Sequence, residues 1–255
     1  MAKESVMLRC APMDSNPPFD RAFVRIAGCC WMLTSITTLS LIFIPRLVPA
    51  ASDLASQAAL VHNRLYMIRA WIGIVHPLMA LVGAAGVLTV RVRAATGAAI
   101  CGFTFFALWA AGEGVQQSLI LVALNWRWRT TFLSGTETVR STLAPLMSGF
   151  DALSDGLFFF LVLAFVIANV LFCAATWSGA PLQRLIAVCF ALSAGLGVLS
   201  FSTRYGGGIV PAGAMDLAYP LIQPAGRFLT GVWLWQTAQS PAGIGSVDAV
   251  QSAAK

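Results

Sequence analysis

The segment from Gly97 to Leu124, GAAICGFTFFALWAAGEGVQQSLILVAL, constrains this chain more than any other. It exceeds the roughly 20 apolar residues a helix needs to cross a bilayer, yet Glu113, Gln116 and Gln117 lie within it. A carboxylate near the middle of a spanning helix costs about 2.5–3.5 kcal/mol on insertion scales. Glu113 is therefore expected to face protein or water, not lipid, and to have a partner. A segment of this kind needs other helices around it.

The rest of the chain can supply them. Of the 255 residues, 58% are hydrophobic and only 10% charged, too little polar surface to coat a soluble globule. Six apolar runs predict an all-α fold, a polytopic membrane helical bundle with about six transmembrane helices. The expected spans are 26–45, 70–90, 97–124, 150–177, 185–201 and 217–235. They make one transmembrane domain over 23–236, flanked by polar tails over 1–22 and 237–255 that are expected to be mobile.

Between the first two spans Leu54, Ala58, Val61 and Leu65 recur at helical spacing, which predicts a short amphipathic helix along the interface. Pro77 follows His76 in the second span, and Pro220 and Pro224 lie in the sixth, so both helices are expected to be loosened. Ala110 with Gly114, and Ala191 with Gly195, have the small-xxx-small spacing that lets helices approach closely. Trp126 and Trp128 alternate with Arg127 and Arg129 after the third span and predict an anchor at headgroup level.

The net charge of +6 comes from basic residues scattered around the ends of apolar runs, which points to lipid headgroups and away from nucleic acid. Of the six cysteines, only Cys10 lies in a polar tail, and none has metal-ligand or disulfide spacing. No metal and no cofactor is expected. The glycines Gly206, Gly207 and Gly208 lack the Gly-Lys-Ser/Thr ending of a phosphate loop and read as a turn. Six spans put both termini on one face. Lys and Arg divide almost evenly between the faces, but the termini side has the compact connections where the positive-inside bias is strongest. This predicts a multi-pass membrane protein with cytoplasmic termini.

With that topology, and about 1.5 Å of rise per residue, polar side chains from four helices fall in one layer of the half-membrane opposite the termini. The candidate cluster comprises His76, Glu113, Gln116, Gln117, Asp151, Asp155, Gln223 and Arg227. One reading is a structural network in which Arg227 neutralises Glu113 or Asp155. The other is a cavity in which Glu113 and Asp155 bind a cation or relay protons, His76 titrates near neutral pH and Arg227 holds an anionic group.

The opening of the first span, RIAG at Arg25 to Gly28, the polar connector after it, a fourth span opening with Phe150 and Asp151, and the last span YPLIQPAGRFLTGVWLW resemble a family of bacterial six-helix membrane proteins catalogued as a domain of unknown function. The resemblance implies six spans in a bacterial inner membrane. It supplies no substrate and no catalytic residue.

Three functions fit these residues. The first is binding or transport of a small or amphiphilic solute, suggested by the convergent polar layer beside proline-bearing helices. The second is a membrane enzyme acting on a lipid or isoprenoid chain, with Glu113 or Asp155 as general acid or base. The third is a partner subunit packed against another membrane protein through its small-residue faces. The expected partners are membrane lipids, a small-molecule or lipid ligand, or a membrane protein.

Overall fold

The computed structural model describes residues 20–206 and 212–240, the side chains of 212–217 excepted. The tail residues 1–19 and 241–255, and Gly207 and Gly208 of the connector, lie outside the described residues. Every described element is a helix. In chain order they are α1 (Arg21–Leu47), α2 (Leu54–Ala59) with a 3-10 turn over Leu60–His62, α3 (Arg64–Arg91), α4 (Thr96–Ser118), a π-helical stretch (Leu119–Arg129), α5 (Thr130–Ser134), α6 (Glu137–Trp177), α7 (Pro181–Tyr205) and α8 (Ala212–Gln239). Among the described residues five helices are long and apolar enough to cross a membrane: α1, α3, the rod Thr96–Ser134, α6 and α7. Such helices are consistent with a membrane location.

The long helices pack as a closed ring. The neighbours run α1, α3, α4, α6, α7, α8 and back to α1, and the α1–α8 seam is the most extensive. That seam is close because both sides lack a side chain where they cross. A Cβ on Gly231 would come within 2.6 Å of the Gly28 carbonyl oxygen, and one on Gly28 within 2.9 Å of the Gly231 oxygen. On the opposite flank of α1, Gly83 makes room for the Trp31 ring and Gly86 for the Ala27 methyl. The expected small-residue pairs do something else. Nothing lies within 4 Å of a Cβ built on Gly114 or Gly195, and Ala191 and Gly195 face outward.

Inside the ring an aromatic core joins Trp31, Phe106, Phe165, Phe172 and Phe190, with Trp31 and Phe106 edge-to-face at 5.7 Å. Position along the helices puts most of this core toward the ring end where α1 begins. A second apolar cluster lies at the other end, where Leu54 and Ala58 of α2 meet Leu124, Trp128, Phe132, Met147 and Phe150. This is a helical cap. The connector after the third span is thus helical instead of irregular, and α6 starts at Glu137, well before the expected boundary near 150. At about 1.5 Å per residue its 41 residues extend about 60 Å, twice the hydrocarbon thickness.

Local chemistry sets the helix starts. Asp20 caps α1 through the amides of Ala22 and Phe23, and Asn63 caps α3 through Tyr66. Asp53 and Ser56 form a reciprocal capping box on α2. The expected loosening at proline does not interrupt the helices: α3 runs unbroken through Pro77 and α8 through Pro220 and Pro224.

Two outcomes follow from this packing. Gly231→Ala should lower stability by about 1–3 kcal/mol through overpacking at the α1–α8 crossing, whereas Gly195→Ala should stay within about 0.5 kcal/mol, as read by thermal melts in detergent. The Ser56 amide and hydroxyl hold the Asp53 carboxyl below its ordinary range. Its pKa is thus lower folded than unfolded, so the cap's stabilisation is complete above about pH 3.9 and disappears as pH falls through the depressed value. The protection of the Ser56 amide against exchange, relative to its intrinsic rate at each pH, should fall on that acid limb.

Candidate functional site

Arg227 of α8 is only 6% exposed, and its surroundings organise the site. Its Nη1 donates to Thr38 Oγ1 at 2.6 Å and faces His76 Nε2 at 2.6 Å. A guanidinium only donates, so His76 Nε2 must accept, which places the histidine proton on Nδ1. Nδ1 in turn faces Thr37 Oγ1 at 2.7 Å. The Thr37 hydroxyl donates to the Thr34 carbonyl at 3.2 Å and the Thr38 hydroxyl to the same carbonyl at 2.6 Å, leaving both oxygens free to accept. His76 is therefore a neutral connector between α8, α3 and α1. The guanidinium carbon also lies 5.9 Å from the ring centroids of Trp31 and Trp109, a cation–π arrangement.

Nη1 has two hydrogens and both are used. Among the described residues the N–H groups of Nε and Nη2 have no hydrogen-bond partner, and neither atom is sealed from open volume. Arg227 borders a cavity of about 260 Å³. All six long helices line it, including Thr38 from α1, His76 from α3, Glu113 from α4, Phe158 from α6, Ser200 from α7 and Gln223 from α8. Tyr219 adds a phenol, while Leu41, Ile42 and Phe165 make apolar wall. Comparison with family models, with curated proteins and with solved structures finds no match. What the site can do has to be read from its own chemistry.

Glu113 enters the cavity from α4. One oxygen accepts from Gln117 Nε2, one turn on, at 2.9 Å. Gln117 fits there because residue 73 is glycine: a Cβ would sit 2.7 Å from Gln117 Oε1. No ion pair within 4.0 Å joins Glu113 to Arg227 among the described residues. The two charges share a cavity without touching.

The other sequence candidates lie elsewhere. Gln116 is buried on the far side of α4, where Nε2 donates to Ser154 Oγ at 2.6 Å and fastens α4 to α6. Asp151 is exposed. Asp155 is also exposed and pairs with Arg204 at the α6–α7 seam, where the Tyr205 hydroxyl donates to the Asp155 carbonyl at 2.7 Å. The physical reason is helix length. Counting depth from Gly149 takes α6 to begin at the membrane surface, but it begins at Glu137, and Asp155 stands level with the last turn of α7. Arg204 also lies 4.6 Å over the ring of Phe158, a cavity residue.

Arg129 departs from the anchor expectation as well. Arg127 and Trp126 are exposed, but the π-helical stretch turns Arg129 inward, where Nη1 donates to Tyr66 Oη at 2.5 Å and Asn125 Oδ1 at 2.8 Å. Thr37, Thr38, Trp31 and Trp109 are site residues that the charged-residue reading of the sequence passed over. The hydroxyl run Thr34, Ser35, Thr37, Thr38 inside an apolar span was the available signal.

Double-mutant cycles should rank these contacts. Arg227→Leu with His76→Leu should show a coupling of about 1.5–3 kcal/mol, the range of a charged hydrogen bond, and exceed the coupling of Arg227→Leu with Glu113→Leu. Melts of the four proteins of each cycle in one detergent give both values. The reverse order would mean that the Arg227–Glu113 attraction, not the His76 bond, governs the site.

Proposed function

We propose that this chain is a six-span protein of a bacterial inner membrane, with cytoplasmic termini, that binds a small or amphiphilic solute in the cavity between its helices and carries it across. The observation that supports this reading is the half-used guanidinium of Arg227. A buried cation is tolerable only when its donors are satisfied, and unpaired buried donors cost about 1–3 kcal/mol each. The protein satisfies Nη1 with rigid acceptors and leaves the remaining N–H groups facing open volume. Water or an acceptor group on a solute fills that role.

The α8 helix is the proposed sixth span, since it completes the ring and carries Arg227 in its middle. Short connections over 92–95 and 178–180 are what favours the termini side as cytoplasmic. Polar side chains on unbroken helices, not unwound backbone, would contact the solute. Apolar wall from Leu41, Ile42 and Phe158 suits a ligand with hydrocarbon as well as a polar group.

The test is a thermal-shift screen of the purified protein against carboxylates, phosphates, amines, amino acids, polyols and short-chain lipids, followed by uptake into proteoliposomes. At least one compound should raise the melting temperature and be accumulated. Ser200→Phe, which fills the cavity from α7, should remove both effects while the protein stays folded. Ligand shifts that survive Ser200→Phe unchanged would rule out the cavity as the site.

A further inference from the structure

The cavity holds a guanidinium and a carboxyl group that the fold keeps apart. Arg227 is fixed through Nη1 to α1 and α3. Glu113 is fixed through one oxygen to Gln117 on its own helix. Each has polar atoms left without a protein partner, and both residues line the same cavity. In surroundings of low dielectric, opposite charges attract strongly and are drawn toward contact. They have not closed, because each is held by a different wall. Trp109, one turn before Glu113 on α4, lies with its ring centroid 5.9 Å from the Arg227 guanidinium carbon and lines the same cavity.

A ligand with a single charge fits this arrangement poorly. A monoanion on Arg227 leaves Glu113, whose other charged neighbour is Arg69 of α3, as a second negative group in the same void; a monocation on Glu113 adds a second positive charge beside Arg227. A molecule with an anion and an ammonium joined by a few methylenes answers both charges and keeps the cavity neutral. We propose that the ligand is a zwitterion, its carboxylate or phosphate on the free N–H groups of Arg227 and its ammonium on Glu113. This rests on the cavity being a solute site, as proposed above. The same chemistry is offered by free amino acids and aminoalkyl phosphates and by the headgroup of a zwitterionic phospholipid.

The experiment measures affinities of the full chain in detergent for a matched set: γ-aminobutyrate, butyrate and butylamine. Phosphoethanolamine, dihexanoylphosphatidylethanolamine and dihexanoylphosphatidylglycerol extend it to phosphates and lipids. γ-Aminobutyrate or phosphoethanolamine should bind at least about tenfold more tightly than either single-charge match. Glu113→Gln should lose most of that preference while retaining butyrate. If the head belongs to a lipid, the ethanolamine lipid should surpass both the glycerol lipid and free phosphoethanolamine; if the solute is free, it should add nothing over phosphoethanolamine.

Equal binding of γ-aminobutyrate and butyrate to the unaltered protein overturns the proposal, and this comparison does not depend on any variant folding. So does a zwitterion preference that survives Glu113→Gln. If single-charge or neutral compounds bind and no zwitterion does, the solute cavity stands and this assignment falls. If nothing in either set binds, both fall.

Discussion

Everything in the bundle's centre depends on one nitrogen. Nη1 of Arg227 donates to a hydroxyl on α1 and to an imidazole on α3, so a side chain of α8 joins three helices at one point. Neutral acceptors do this work. A carboxylate in their place would have used the guanidinium's charge and left nothing for the cavity. Thr38 and His76 fix its position while leaving its field uncancelled, and the aromatic rings of Trp31 and Trp109 flank it at 5.9 Å.

The surrounding packing explains how six helices enclose volume instead of collapsing on it. Close approach is concentrated at the Gly28–Gly231 crossing and at Gly83 and Gly86, where α1 is held tightly between α8 and α3. On that side of the ring the helices are nearly in contact through their backbones. The aromatic core closes one end of the interior, and cavity residues such as Ser200 and Tyr219 lie toward the other. The cap of α2, α5 and the first turns of α6 has its own apolar cluster and so folds onto the bundle without filling its centre.

Much of this was legible in the sequence, for a clear reason. Apolar run length sets which segments are long helices, and a charge inside such a run has to face inward, so Glu113, His76, Gln223 and Arg227 could be grouped before any coordinates. Azimuth was not legible. Gln116 and Gln117 are adjacent in the chain, yet one fastens α4 to α6 and the other holds Glu113, because neighbouring helical residues point about 100° apart. Helix ends were not legible either. The stretch after Asn125 is polar enough to read as a connector, but the cap's apolar cluster keeps it helical and places Asp155 at the end of the ring. Arg129 could not be told from Arg127 by type or spacing; only the π-helical turn separates an inward arginine from an outward one.

Ring closure has a consequence for biosynthesis. The first and last long helices are neighbours, and their seam is the most extensive in the protein. While the ribosome is still making α8, the Thr38 hydroxyl and the His76 ring have no guanidinium to meet, and α1 exposes the glycine face that Gly231 will cover. Of the six long helices α8 is synthesised after the other five, and, with an arginine in its middle, it is the one that most needs partners already in place. The nascent bundle thus has an unfinished interior until α8 arrives, and a product lacking α8 leaves Thr38, His76 and the Gly28 face uncovered.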